Sequence, residues 1–370
     1  MPKILHTADL HLRRDGEDRS YGLSVLDELV SIANARKATH FLICGDLFDS
    51  FADFSDTILI EDVKKSFNKL SSECAVIFIS GNHENLGKAA GERLSAYNFG
   101  KIRFVAEKPE LLEYAGVEII AVPFMNDYSG LASAIFPDKK NFRIVMIHGT
   151  NSSVYSGPDA ELDGMESGGA RISDLLMLKL QADYAALGHI HSARQGKYEG
   201  ITAVYPGSPR VWRKGETGPR TAILIETGEN GIAAMESIEI RSAGQYREIH
   251  VPINVDGSFA NDIATRLMRE AEKSPNDWYE IIFSGVAEDS NLFEERKTDL
   301  HSSLSSRLRK CTLNSIGVRT LSALSDNSAA RAFLEAMEKC RPSEDGDGMQ
   351  AWLQARIMGL EQINEEIKNR

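Results

Sequence analysis

Short runs of apolar and β-branched residues alternate along much of the chain with longer segments whose apolar residues recur at helical spacing. The short runs predict buried strands at 4–5, 41–44, 76–80, 117–122, 144–147 and 184–187, and two later antiparallel strands at 201–205 and 221–225. The helical spacing predicts helices at 26–35, 63–70 and 175–180. Strands that alternate with helices favour an α/β sandwich.

A new pattern begins near residue 245. Strands are predicted at 247–255, 278–283 and 313–321, with helices at 259–271 and 292–308, which together form a smaller α/β domain. Helices at 329–337 and 349–369 follow. We therefore predict three parts, with bounds 1–243, 244–325 and 326–370. For the last helix, which carries Trp352 and Leu360, packing on its own domain is favoured over docking of a partner.

Polar clusters follow five of the predicted strands. They are Asp9-Leu10-His11, Gly45-Asp46-Leu47-Phe48-Asp49, Gly81-Asn82-His83-Glu84, His148-Gly149 and Gly188-His189-Ile190-His191. Each cluster alone is more often a surface group, a turn or a histidine satisfied in a core than a metal site. Their joint occurrence after strands predicts one crevice, because strand ends of an α/β sheet converge where sites form.

The residue types in these clusters are carboxylates, an amide and imidazoles, without a thiolate. This set suits Mn²⁺, Fe²⁺ or Zn²⁺ in a two-metal site. Asp46 could bridge two ions about 3.5–4 Å apart, and such a pair polarises a phosphoryl oxygen and activates water near neutral pH. The clusters therefore predict hydrolysis of a phosphoester.

Composition narrows the class of protein. The formal net charge of −12 over 370 residues argues against binding of nucleic acid by bulk basicity, but it leaves room for a local basic groove. Candidate phosphate contacts are Arg13, Arg14, Arg210, Arg213 and Lys214, although solvated surface charge explains them equally well. No apolar run approaches the ~20 residues of a membrane span, and the four cysteines form no CxxC pair. We expect a soluble cytoplasmic protein without a membrane partner.

The order D-x-H, G-D-x-x-D, G-N-H-[DE], H and G-H-x-H over residues 9 to 191 resembles the calcineurin-like metallophosphoesterase superfamily. The runs at 5–11, 183–191 and 204–209 resemble the branch of SbcD and the meiotic-recombination-eleven nucleases. The resemblance implies a four-layer α/β/β/α sandwich with a smaller α/β capping domain that contacts DNA, followed by C-terminal helices. Glu84 departs from the branch, where Asp is common at this position.

The resemblance also implies roles for the cluster residues. One metal would be held by Asp9, His11, Asp46 and His191, and the other by Asp46, Asn82, His148 and His189. His83 would contact the scissile phosphate and help protonate the leaving oxygen, and Asp49 would orient His83 or another group at the site. The resemblance further implies Mn²⁺, DNA as the substrate, an SMC-like ATPase of the SbcC type as partner, and a homodimer.

We therefore expect a metal-dependent DNA exo- or endonuclease in double-strand-break repair or end processing. One alternative keeps the site but changes the substrate to a small nucleotide or a phosphoprotein. The other is a DNA-end-binding scaffold that positions an ATPase.

Overall fold

The computed structural model describes residues 1–133, 136–155, 170–229, 231–254, 256–287, 290–320, 327–342 and 347–368. The chain folds into two compact units, Met1–Gln245 and Tyr246–Arg370. The predicted boundary between residues 325 and 326 lies outside the described residues. The division of the second unit into a capping domain and a helical segment stays a prediction.

The first unit contains two six-stranded sheets. Its strands are β1 Lys3–Thr7, β2 His40–Cys44, β3 Ala75–Ile79, β4 Arg103–Val105, β5 Glu110–Tyr114, β6 Val117–Ala121, β7 Phe142–His148, β8 Tyr184–Gly188, β9 Arg194–Tyr198, β10 Ile201–Tyr205, β11 Thr221–Gly228 and β12 Gly231–Glu239. The first sheet has the order β12-β11-β1-β2-β3-β4 and the second has the order β5-β6-β7-β8-β10-β9.

The inner strands of both sheets run mainly parallel; antiparallel strands form both edges of the second sheet and one edge of the first, whose other edge is the parallel strand β4. In the first sheet β1 to β4 are parallel, whereas β11 is antiparallel to β1 and to β12. In the second sheet β6, β7, β8 and β10 are parallel, and β5 and β9 are antiparallel. The predicted antiparallel character is therefore right for β11, but β10 is antiparallel only to β9.

Alternation along the strands sorts the side chains into layers. In the first sheet, one face carries residues such as Leu5 and Phe41 and packs on helices α1 Gly16–Ala35 and α3 Thr57–Asn68. The opposite face, with Leu42, packs on the second sheet. The outer face of the second sheet packs on helix α4 Asp174–Lys179. These cores confirm the predicted four-layer α/β/β/α sandwich. A short helix, α2 Phe51–Phe54, precedes α3.

Helix α3 shows how local sequence sets an element. Its N-cap is Asp56, whose Oδ1 accepts a hydrogen bond from the backbone N–H of Leu59 at 2.7 Å. The helix then buries Leu59, Val63 and Phe67, which recur at the spacing of one helical face. The buried face of α3 is therefore part of the core that backs the first sheet.

The second unit contains a parallel three-stranded sheet in the order β13-β14-β15. Its elements are β13 Tyr246–Pro252, α5 Ile263–Lys273, β14 Trp278–Ala287, α6 Ser290–Ser305, β15 Lys310–Thr320, α7 Ser328–Lys339 and α8 Asp347–Lys368. Helices α5 and α6 cover one face of the sheet around Leu267, Phe283 and Phe293. The predicted helix at 259–271 starts later than expected, at Ile263.

Helix α8 packs within its own unit, as expected. The Trp352 indole N–H donates to the Met337 carbonyl at 2.7 Å, and Leu360 is buried against Val286 and Ala330. Met358, in contrast, is 62% exposed. Among the described residues, no helix combines the length and the apolar character that crossing a bilayer requires.

A buried ion pair joins β6 and β7 in the second sheet. Glu118 and Arg143 have side chains that are at most 2% exposed, and Arg143 Nε donates to Glu118 Oε2 at 2.8 Å. Arg143 also donates to the carbonyls of Leu180 and Pro137, and Glu118 accepts two backbone N–H groups. Such a pair is costly to break because the remaining charge stays buried without a partner.

We predict that Glu118→Ala lowers the free energy of unfolding by about 3–5 kcal/mol, since Arg143 then lacks its counter-charge. Urea unfolding followed by circular dichroism measures this change. Glu61→Ala is the matched control, because it removes an exposed pair with Lys64 and should change the same quantity by about 0.5 kcal/mol or less. Equal unfolding midpoints for the two variants would show that the buried pair is not a stability determinant.

Candidate metal centre

The five clusters lie at the carboxyl ends of parallel strands from both sheets. Asp9 and His11 follow β1, Asp46 follows β2, and Asn82 follows β3. His83 begins a single 3-10 turn, His83–Asn85. His148 ends β7, and His189 and His191 follow β8. All seven predicted metal ligands are buried.

Potential ligand atoms from these clusters fall into three groups, within each of which the atoms lie no more than 4.8 Å apart. The groups are Asp9, His11 and His191; His11, Asp46 and His83; and Asp46, His148 and His189. Asn82 joins the last group, with its Oδ1 at 2.8 Å from His148 Nε2. The structure thus brings together every residue predicted to hold a metal, although the ligand assignment itself stays a prediction.

We call the set Asp9, His11, Asp46 and His191 the first metal position, and the set Asp46, Asn82, His148 and His189 the second metal position. In the first, His11 Nε2 lies 3.1 Å from His191 Nε2. Asp46 Oδ2 lies 3.9 Å from His11 Nε2 and 3.2 Å from His148 Nε2. The Asp46 carboxylate therefore stands between the two positions, where a bridging ligand belongs.

The outward nitrogens of three of these imidazoles face oxygen acceptors. His148 Nδ1 donates to the Cys44 carbonyl at 2.8 Å, and His191 Nδ1 lies 2.6 Å from Glu216 Oε1. His11 Nδ1 lies 3.4 Å from Asp49 Oδ1. When the outward nitrogen carries the proton, the inward Nε2 presents a lone pair, which is the form that binds a metal.

The donor set fits divalent cations. His189 Nε2 is buried and has no hydrogen-bond partner within the part of the chain that the structure describes. Burial lowers the pKa of His189 to about 3, so this imidazole is neutral near pH 7. Burial raises the pKa of Asp9 to about 6, because a carboxylate is poorly solvated there. Burial also acts to lower the pKa of His148, but Asp46 beside it outweighs burial and leaves that pKa raised to about 9. The buried carboxylates of Asp9 and Asp46, with imidazole nitrogens beside them, are a natural site for positive charge.

The backbone at four of the predicted ligands is in the left-handed region. The φ angles are +57° at Asp9, +48° at His11, +49° at Asp46 and +104° at His189. Such conformations cost about 1–3 kcal/mol each in non-glycine residues and cluster at functional sites. Here hydrogen bonds hold them, including those from His11 N to the Asp46 carbonyl and from His189 N to the Asp9 carboxylate, both 3.0 Å.

Two glycines let the strand ends approach each other. Gly45 has φ +87°, and a Cβ at this position would overlap the His148 imidazole. A Cβ at Gly188 would overlap the Cys44 carbonyl. The glycines in the motifs therefore provide the close backbone contact that brings ligands from the two sheets together.

Glu84 has a structural role that the sequence pattern did not reveal. Its side chain is fully buried and accepts backbone N–H groups from Gly81 at 2.7 Å, Phe48 at 3.0 Å and Asp46 at 3.2 Å. This carboxylate ties the loop after β2 to the loop after β3. The longer side chain at a position where Asp is common thus has a specific set of partners.

Two further residues at the site were not identified as such from sequence. Glu216 accepts from His191, and although burial raises its pKa, that hydrogen bond and two backbone amides hold the pKa of Glu216 below its ordinary value. Trp212 stacks on His11, with ring centroids 4.1 Å apart and planes at 13°. Neither Trp212 nor Glu216 belongs to one of the five polar clusters.

A cleft of about 410 Å³ opens beside His83. It is lined by Arg13, Asp49, Asn82, His83, Leu86, Trp212 and Arg213. Arg13 is 44% exposed and its Nε donates to Asp49 Oδ2 at 2.7 Å, while the Arg213 guanidinium lies 4.2 Å from the centre of the Trp212 ring. Arg14 and Lys214 are exposed but do not line the cleft.

The prediction of a phosphate contact is wrong for Arg210. Its side chain is 1% exposed, and it donates to the His11 carbonyl at 2.6 Å and to Asp18 Oδ2 at 3.0 Å. These two acceptors hold the Arg210 guanidinium inside the protein, where it supports the loop that carries His11.

Asp49 contacts His83 through its backbone. The His83 Nδ1–H donates to the Asp49 carbonyl at 2.7 Å. The Asp49 carboxylate instead holds Arg13 and faces His11. The main chain of Asp49 thus contacts His83 while its side chain faces His11, and the orienting role implied for Asp49 stays a prediction.

Comparisons with known proteins agree with this geometry. Residues 2–193, which contain all five clusters, match the family described as calcineurin-like phosphoesterase. The SbcD component of the nuclease SbcCD of Bacillus subtilis (strain 168) is 24% identical over 389 residues, covering 90% of this chain and 97% of that protein. The uncharacterized metallophosphoesterase YhaO of the same organism is 26% identical, covering 62% of this chain and 58% of that protein.

Among solved structures, purple acid phosphatase PPD1 from yellow lupin matches with a TM-score of 0.40 and 14% identity, covering 66% of this chain and 52% of that chain. The family match spans more than half of the chain and includes each cluster at the strand ends. The chain therefore belongs to the calcineurin-like phosphoesterase family.

Proposed function

We propose that the chain is a metal-dependent nuclease that hydrolyses phosphodiester bonds of DNA in end processing or double-strand-break repair. The observation that carries this proposal is the open cleft beside the metal centre, which is lined by His83 and by two arginines, Arg13 and Arg213. The similarity to a relative named as part of a nuclease, along 90% of this chain, supports the same substrate.

Two divalent cations, which we propose to be Mn²⁺ with Fe²⁺ or Zn²⁺ as alternatives, would be held by the first and second metal positions and would neutralise phosphate charge and activate water. His83 is held by the Asp49 carbonyl through Nδ1, which leaves Nε2 for the substrate. We assign to His83 the contact with the scissile phosphate and the protonation of the leaving oxygen.

The arginines of the cleft suit a substrate with several phosphodiester groups along its backbone. Asp49 holds Arg13 by Nε, so the terminal guanidinium nitrogens of Arg13 remain for a neighbouring phosphate. Leu86, which is 56% exposed, gives the same cleft an apolar surface for a sugar or base. A phosphodiester with a nucleotide on each side would use both features, whereas a small monoester has no neighbouring phosphate for Arg13.

We predict that Mn²⁺ supports cleavage of linear duplex and single-stranded DNA by the purified chain, and that EDTA abolishes it. His83→Ala should lower the cleavage rate by about 100-fold or more, the range of general acid catalysis, with metal content unchanged. Asp46→Ala should lower both rate and metal content, because both metal positions use this carboxylate.

Arg36→Ala is the control for these variants, since Arg36 forms an exposed pair with Glu236. It should cleave DNA at the rate of the unmodified chain. Cleavage that survives His83→Ala or Asp46→Ala unchanged would refute the assigned roles.

We predict that Arg13→Ala raises the KM for an oligonucleotide about tenfold. This factor corresponds to the binding free energy lost with one charge-assisted hydrogen bond to phosphate. The rate on a chromogenic diester, which has no neighbouring phosphate, should stay the same. Arg36→Ala again serves as the control. Hydrolysis of the chromogenic diester without cleavage of DNA would instead favour the small-substrate alternative.

We further propose an SMC-like ATPase of the SbcC type as partner, a homodimer as assembly and the cytoplasm as location. The support for the partner is a relative that is itself named as one component of SbcCD. Co-elution with such an ATPase on gel filtration, and light scattering of the chain alone, test the partner and the dimer. DNA-end binding without any Mn²⁺-dependent cleavage would favour the scaffold alternative.

A further inference from the structure

A short turn, residues 212–216, touches both histidines of the first metal position. It follows the buried segment 204–211. Trp212 at its start contacts His11, and Glu216 at its end contacts His191. These two histidines come from different sheets, since His11 follows β1 and His191 follows β8. We call residues 212–216 the clamp turn.

Glu216 holds His191 and the clamp turn together. Its Oε1 lies 2.6 Å from His191 Nδ1, and its Oε2 accepts the backbone N–H groups of Trp212 at 2.7 Å and Arg213 at 3.0 Å. The Glu216 side chain is only 9% exposed. A carboxylate with this geometry fixes the ring orientation and the tautomer of His191. The Nε2 atom of His191 then faces the Nε2 atom of His11 at 3.1 Å.

Trp212 restrains the other histidine. Its ring stacks on His11 and also meets the edge of His83, with centroids 5.8 Å apart and planes at 89°. The centroid of the His191 ring lies 5.3 Å from the centroid of the Trp212 ring. An imidazole stacked on an indole cannot rotate without losing that contact, so the clamp turn limits the motion of both first-position histidines.

The second metal position has a different kind of support. His148 is the last residue of β7, and its Nδ1 donates to the Cys44 carbonyl at the end of β2. Its own carbonyl accepts the Tyr128 hydroxyl at 2.7 Å. The histidine is therefore held mainly by strand backbone, whereas the rings of His11 and His191 are each contacted by a side chain of the clamp turn, with Asp49 also facing His11.

We propose that the clamp turn sets the metal affinity of the first position and leaves the second position unaffected, with Glu216 and Trp212 as positioning residues. The inference rests on the metal centre of the proposed function. It adds that the ligands of the two ions are held in place by different parts of the protein. Residues that would not contact a metal themselves therefore decide the occupancy of one ion.

The test is Mn²⁺ binding to the full chain, measured by calorimetry and by metal content after gel filtration. The unmodified chain should bind two ions. Glu216→Ala should weaken one of them about 10- to 100-fold, the usual cost of losing such a support, and should leave the other unchanged. Glu216→Gln should lose less affinity because it retains a hydrogen bond. Trp212→Phe should likewise lose less than Trp212→Ala, because an aromatic ring still stacks on His11.

A second-site comparison identifies the affected ion. If Glu216 acts through His191, adding Glu216→Ala to a chain that already carries His191→Ala should weaken Mn²⁺ binding by about twofold or less. A change of this size is within the deviation from additivity expected for independent substitutions. In an Asn82→Ala background, which impairs the second position, Glu216→Ala should still cost the full 10- to 100-fold. The control Glu226→Gln alters a surface pair with Lys3 and should leave both affinities unchanged.

Trp212 offers a readout that does not involve catalysis. The chain has three tryptophans, so the difference between the unmodified chain and Trp212→Phe isolates the Trp212 signal. Its fluorescence should change in a Mn²⁺ titration at the concentration that fills the ion sensitive to Glu216→Ala. A signal that follows the other ion would contradict the assignment to the first position.

Three results would overturn the inference. They are two ions with unchanged affinity in Glu216→Ala, equal weakening of both ions, or a full loss in the His191→Ala background. Matching circular dichroism and urea midpoints of the metal-free variants separate a local effect from unfolding, and Glu216→Gln replaces Glu216→Ala if the latter does not fold. If the unmodified chain binds two ions but leaves DNA intact, the nuclease proposal fails while the clamp turn can still be tested.

Discussion

The Asp46 side chain is the point on which the rest of the site depends. Its Oδ1 accepts the His83 backbone N–H at 2.9 Å, and its Oδ2 lies 3.2 Å from His148 Nε2. Its main chain binds the loop after β1 through His11 N. A buried carboxylate must be paired to be tolerated, so one side chain forces ligands from both sheets to converge.

This convergence is possible because a closely packed core surrounds the site. The left-handed backbone at Asp9, His11, Asp46 and His189 and the close contacts at Gly45 all cost stability locally. They persist because the apolar layer between the two sheets, with Leu42 and Met146, fixes the relative position of the strands. The site therefore concentrates strain at loops, while the sandwich supplies the stability.

The sequence alone predicted those parts of the site whose residues directly follow a strand along the chain. Buried parallel strands are short apolar runs, and a polar residue directly after such a run lies at the sheet edge, so Asp9 or His148 could be placed without coordinates. Edge strands were missed because they are polar and exposed, as in β9 with Arg194 and Lys197. Residues that act across long sequence separations left no local signal. Arg210 contacts a carbonyl 199 positions away, and Glu216 contacts His191 through a turn with no motif.

The acidic composition and the proposed DNA substrate are compatible when the location of the charged side chains is considered. The formal charge of −12 is a sum over the whole chain, whereas attraction to phosphate depends on the groups that surround the cleft. Among the residues that line the cleft, the charged side chains are Arg13, Arg213 and Asp49, and Asp49 pairs with Arg13. The buried carboxylates Asp9 and Asp46 count as negative in the sum but face the metal positions, where cations would neutralise them. A chain can thus be acidic overall and still present a cationic surface at the one place where a phosphodiester would bind.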